Sequence, residues 1–201
     1  PLLFLILAEE LETEAFWCFS PSHSFIKFQD KQNRWYNIEL TQGAVVTDNF
    51  YMNSGFIKSK AIQTGIYLNP RTMKQTIAHM LNDLSAYYIS RYGYDHFIEE
   101  NSNLVLRYSP SDLTAYQHYA NICTVQAQYV IDACGRPPKE QLPEYPQAHR
   151  LFKKMLQSYE KIDSLGYEEM PAEIYHNWLK QVDKAKTLPE NQPSPIIQIK
   201  K

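Results

Sequence analysis

The sequence has few of the residues that build compact metal, redox or nucleotide sites. Its three cysteines, Cys18, Cys123 and Cys134, form no CxxC pair. Neither a zinc knuckle nor a disulfide framework is indicated. Six histidines include no HxxxH or HExxH spacing, so the helical metal-ligand patterns are missing. Glycine is scarce, at six residues, and no phosphate loop or dinucleotide fingerprint occurs. Basic residues are not in excess: 20 Lys and Arg against 22 Asp and Glu leave a formal net charge of -2. That argues against a broad nucleic-acid surface. The apolar run Leu2–Leu7 is too short to span a membrane and lacks the basic flank of a signal peptide. No cofactor and no metal is expected, and no compartment is implied. The chain does not start with methionine, and its native N-terminus is expected to lie upstream.

What is present is a globular composition. The 201 residues are 44% hydrophobic and 21% charged, enough for one large or two small domains with a core. Fifteen tyrosines suggest helices packed through aromatic side chains. The hydrophobic period changes from 2 to 3.6 at Asn69. The expected fold class is therefore α+β: a partial α+β domain over 1–68, a helical region over 69–190 and a flexible tail over 191–201.

The stretch His23 to Glu39 reads as two strands around a polar turn. With Asp30, Lys31 and Gln32 as a three-residue loop, Gln29 falls opposite Asn33 and His23 opposite Glu39. His23, Phe25 and Lys27 then share one strand face, and Trp35, Asn37 and Glu39 share the face beside it. An imidazole beside a carboxylate is the base and orienter of a nucleophilic triad that lacks its nucleophile. Side-by-side His and Glu on a surface sheet are also ordinary neighbours, and spacing alone does not choose between the two.

Before this hairpin, Leu2–Leu11 reads as a helix, apolar nearly all round and expected to be buried. Ala15–Phe19 reads as an aromatic-rich strand, and Pro21-Ser22 as the turn into the His23 strand. Cys18 lies within the first strand, where a thiol is usually an inert small hydrophobe. After Glu39, a third strand is expected over Ala44–Thr47 and a short helix around Phe56–Ile62.

Residues 1 to about 65 resemble the second half of a bacterial transglutaminase-like domain of the papain-related superfamily. In that family a His near the start of one strand is followed by a Trp near the start of the next, with an acid four residues after it. Here those positions are His23, Trp35 and Glu39. The family more often has Asp at the last of them, and Asn37 on the same face is a second candidate orienter. The resemblance implies a cysteine at the N-terminus of the first helix, where the helix dipole lowers the thiol pKa. That position falls just upstream of Pro1, so the chain alone is expected to be inactive. The resemblance also implies that the region after Asp48 shapes the cleft, with Asp48, Asn49 and Tyr51 lining it.

In the helical region, Met73, Ile77, Met80, Leu81, Leu84 and Tyr88 form one stripe, stopped by Gly93. Asp95 can cap a second helix. Ser109-Pro110-Ser111-Asp112 reads as a helix start with Ser109 as the cap. Leu113, Tyr116, Ala120, Cys123, Ala127, Val130 and Cys134 follow as the buried stripe. Two more helices fit Ala148–Leu165 and Ala172–Ala185. Tyr108-Ser109-Pro110 and the 34-residue spacing of Ala86 and Ala120 are similar to a tetratricopeptide repeat. A plain helical bundle explains the same pattern. His79, His96, His118, His149 and His176 need no role beyond packing or solvation.

Two function classes remain open. One is a thiol acyl-transfer or amide-hydrolysis site completed by an upstream cysteine. The other is a non-catalytic module that binds a protein or peptide. A sheet edge left uncovered by a missing start of the domain also leaves homodimerisation open.

Overall fold

The computed structural model describes residues 1–186. The expected tail over 191–201 lies outside the described residues. The elements in order are α1 (Leu2–Glu10), β1 (Ala15–Ser20), β2 (His23–Gln29), β3 (Trp35–Glu39), β4 (Ala44–Val46), α2 (Asp48–Ser54), α3 (Ser59–Gln63), α4 (Met73–Tyr92), α5 (His96–Tyr108), α6 (Leu113–Ala133), a 3₁₀ helix (Lys139–Glu144), α7 (Pro146–Ser164) and α8 (Ala172–Lys186). The class is α+β, with one four-stranded antiparallel sheet in the order β1-β2-β3-β4. The chain divides into two compact units. One holds Pro1–Ile62, Tyr67–Pro70 and the chain from Glu168; the other holds Gln63–Ile66 and Arg71–Tyr167. Among the described residues, this division places 168–186 with the sheet unit.

In the sheet unit, the β1–β2 turn is Pro21-Ser22. Proline fixes a negative φ and Ser22 takes φ 54°, the φ pair that a type II turn requires. The β2–β3 ladder pairs Gln29 with Trp35, Lys27 with Asn37 and Ile26 with Ile38. This corrects the expected register by two residues: Glu39 continues the ladder opposite Phe25, and His23 lies diagonally across from it. The loop keeps its three-residue length but is Lys31-Gln32-Asn33, bounded by a bond from Asp30 N to Arg34 O at 3.0 Å. The reason is local chemistry. The Asp30 carboxylate accepts from the backbone N of Gln32 and of Arg34, both at 2.9 Å. The left-handed position then falls on Asn33, at φ 60°, and asparagine tolerates it better than glutamine would. Asn33→Ala is expected to lower the stability of the sheet unit by about 1 kcal/mol, and Asn33→Gly to leave it unchanged or raise it. Urea unfolding followed by tryptophan fluorescence measures both.

Alternation divides the sheet into two faces. Trp17, Ile26 and Ile38 line one, and Leu5 of α1 packs there with Phe4 beside it. Cys18, His23, Phe25, Lys27, Asn37 and Glu39 share the other by the pairing. The first helix is not buried all round: Leu5 and Ala8 are buried, whereas Leu3 is 70% exposed, with Ile6 and Leu7 also outward. The second helix, α2, lies on the His23 face, where the Tyr51 ring stacks on Phe25 at 3.9 Å. Its C-cap, Gly55, abuts the β1–β2 turn so closely that an added Cβ would sit 2.8 Å from Pro21 Cδ.

In the helical unit, α4, α5, α6 and α7 each pack on the next. The expected inward stripe of α4 is corrected. Met73, Ile77, Met80 and Leu84 are exposed; Thr76, Ala78, Asn82 and Ser85 are buried. Small and polar side chains face the neighbours, most of them with a partner there, although the buried Oδ1 of Asn82 has none. Asn101 of α5 donates to Leu81 O at 2.7 Å and also to the Ser85 hydroxyl, while Ala78 packs with Val105 and Ala115. Helix α6 begins at Leu113 with Asp112 as its cap, accepting from Ala115 N, not with Ser109. Ser109 is held elsewhere: its hydroxyl accepts from Arg71 Nη1 at 2.6 Å. Asp95 caps α5 and Gly93 ends α4, as the sequence suggests. Among the described residues no helix is long and apolar enough to cross a membrane.

Candidate active site

β2 and β3 bring His23 and Glu39 together despite the shifted register. Diagonal neighbours on one face remain within reach of long side chains. His23 Nε2 lies 2.6 Å from Glu39 Oε2. The carboxylate is 2% exposed and fully engaged. Its Oε2 also accepts from the Tyr51 hydroxyl at 2.9 Å. Its Oε1 accepts from Thr41 N at 3.0 Å and from the Thr41 hydroxyl at 2.6 Å.

These contacts set the charge state. Burial alone would raise the Glu39 pKa. The bonds from the Thr41 hydroxyl and backbone, from His23 and from Tyr51 outweigh it, and hold the group at about 2. Burial, reinforced by the bond to Glu39, pushes the Tyr51 phenol far above its ordinary value, so it remains a donor. An ionised carboxylate only accepts, so the His23 nitrogen facing it, Nε2, carries a proton. The ring's other nitrogen is Nδ1, on a side chain 36% exposed.

A second cluster shares this face. Lys27, buried along its stem, donates from Nζ to Leu68 O at 2.9 Å and pairs with Asp48 at 3.0 Å. Asn37 Nδ2 donates to Asp48 Oδ1 at 2.7 Å. The ring nitrogen Nε2 pairs with Glu39 and not with Asn37, which lies on the expected face but gives its Nδ2 to the first residue of α2 and leaves its buried Oδ1 without a hydrogen-bond partner. Of the three residues expected to line the cleft, Asp48 serves this cluster, Tyr51 reaches Glu39 and Asn49 is exposed.

No protein-family model, curated protein or solved structure matches this chain. The chemistry of the site therefore has to be read from its own atoms. Neither candidate nucleophile on this face is presented to solvent. The Cys18 side chain is 0% exposed on a strand, and Ser20, the direct ladder partner of His23, is 6% exposed. Cys123 is buried within α6, and burial raises its thiol pKa. Among the described residues no group of three or more His, Cys, Asp or Glu could hold a metal ion.

The sequence reading pairs neither Thr41 nor Tyr51 with Glu39. Thr41 lies two residues past Glu39, where strand alternation returns a side chain to the same face, and that signal was available. Tyr51 needed α2, a seven-residue helix whose sequence signs are an acid at its first position and little else.

Proposed function

We propose that the sheet unit carries the base and orienter of a transglutaminase-like thiol site, one that performs acyl transfer or amide hydrolysis. The observation that carries this reading is the 2.6 Å bond from His23 to a buried, four-times-bonded Glu39. A merely solvated cross-strand pair has no need of such a saturated acceptor. The nucleophile is a cysteine from outside these 201 residues. Helix α1 packs on the opposite face of the sheet, through Leu5 against Trp17 and Ile26, so the reading requires that cysteine to be presented on the His23 face rather than by the buried side of α1.

The step balances simply. The thiolate attacks the amide carbonyl and His23, as the imidazolium, gives its Nδ1 proton to the leaving amine. A thioester forms and the C–N bond breaks. Water or a second amine, deprotonated by the now neutral ring, then releases the acyl group. Glu39 holds the ring tautomer and balances the imidazolium charge. A second reading, that of a tetratricopeptide-like module binding a protein or peptide, draws support from the exposed Met73, Ile77, Met80 and Leu84 of α4.

An electrophilic thiol probe applied to the intact protein tests the first reading. The expected result is labelling of a cysteine outside these residues, reduced by about 100-fold or more in His23→Ala. The 201-residue chain should show no His23-dependent labelling. Labelling of Cys18 that depends on His23 would show that the nucleophile is misassigned. Labelling of the intact protein that is indifferent to His23 would leave only the binding module.

A further inference from the structure

The imidazole has an oriented partner, and that partner is itself held from a third element. Tyr51 is 1% exposed. Its hydroxyl shares Glu39 Oε2 with the His23 ring, while Thr41 occupies Oε1. Its ring stacks against the imidazole with centroids 6.0 Å apart and planes 29° apart. One side chain therefore restrains both the acceptor that fixes the tautomer and the face that fixes the ring plane.

A seven-residue helix does not hold such a group in place by its own stability. Fastening supplies what length does not. The first residue of α2, Asp48, accepts from Lys27 Nζ and Asn37 Nδ2, both rooted in the sheet, and Lys27 is anchored in turn on Leu68 O. Tyr51 follows three residues later, one turn along the same helix side.

We propose that Tyr51 is a positioning residue for the His23–Glu39 pair and that the Lys27–Asp48 clamp holds it there. That the pair performs acyl transfer rests on the function proposed above; the positioning itself does not.

Nitrogen-15 NMR of the His23 ring in the 201-residue chain tests it without any nucleophile. In the wild type, the ring should be held as the Nε2–H tautomer with a slowly exchanging Nε2 proton. Tyr51→Phe keeps the aromatic ring and removes one hydrogen bond. It should speed exchange of that proton by about 3- to 10-fold, the value of one net hydrogen bond, and admit a second ring tautomer. Asp48→Asn, which removes the charge from the clamp, should move the same signals in the same direction. Ring signals unchanged in a folded Tyr51→Phe, with Glu39→Gln altering them, would overturn the proposal. If Tyr51→Phe does not fold, unchanged signals in Asp48→Asn overturn it instead. Absence of probe labelling in the intact protein bears on acyl transfer and leaves this result standing.

Discussion

Asp112→Ala is expected to destabilise the helical unit by about 3–5 kcal/mol, seen as an earlier unfolding transition in urea by far-ultraviolet circular dichroism. Asp112 is fully buried and binds in four directions. It caps α6 through Ala115 N at 3.1 Å and accepts from Asn82 Nδ2 at 2.9 Å. It also accepts from His79 Nδ1 at 2.7 Å and stands 3.8 Å from Arg71. Losing the cap alone costs about 1 kcal/mol. The larger share comes from what remains, an amide, an imidazole and a guanidinium around a site with no carboxylate. Asp112→Asn keeps the cap and the bond from Asn82 but loses the charge and turns a donating amide toward His79, so its loss should be smaller. Equal losses in the two variants would mean that the charge, which both remove, dominates, and that the cap, which only Asp112→Ala removes, contributes little.

Glu39→Gln is expected to cost the sheet unit about 3 kcal/mol near neutral pH and almost nothing at pH 2. The group ionises at about 2 in the fold, against an ordinary value of 4.5. Because the folded value is the lower, its stabilisation is complete above the unfolded value and disappears as pH falls from 4.5 through about 2. Tryptophan fluorescence reports this unit, since Trp17 lies in its core. The wild-type stability profile should slope more steeply through that window than the variant's, in which Asp30, also held below its ordinary value, still titrates. Parallel profiles would show that Glu39 is not the group being titrated.

The face shared by His23 and Glu39 was legible because side chains alternate with a period of two. Placing the loop one residue too early moved the ladder by two and left both side chains on the same side. The loop's true centre was harder to read. It depends on Asn33 tolerating a left-handed backbone and on Asp30 capping two amides, features that compete with the bare count of polar residues. The pattern of large apolar residues misled on α4, where Asn82, Ser85 and Ala78 face inward: small side chains allow close approach, and buried polar ones are admitted when a partner waits on the next helix. Ser109 and Asp112 both suit a helix start, and Arg71, 38 residues from Ser109, decided between them. Asn37 had the right face but the wrong partner, because Asp48 belongs to a helix too short to show a period.

Helix α2 is secured to the sheet at either extremity: Asp48 by Lys27 at the front, and Gly55 against Pro21 at the rear. It behaves mechanically as a beam pinned at two supports. Rolling or sliding it would press on the turn that immediately precedes His23, so a shift of the helix is passed to the backbone that carries the imidazole. A methyl group at residue 55 would act as a wedge under the rear support, tilting the beam and the ring together without touching either His23 or Glu39.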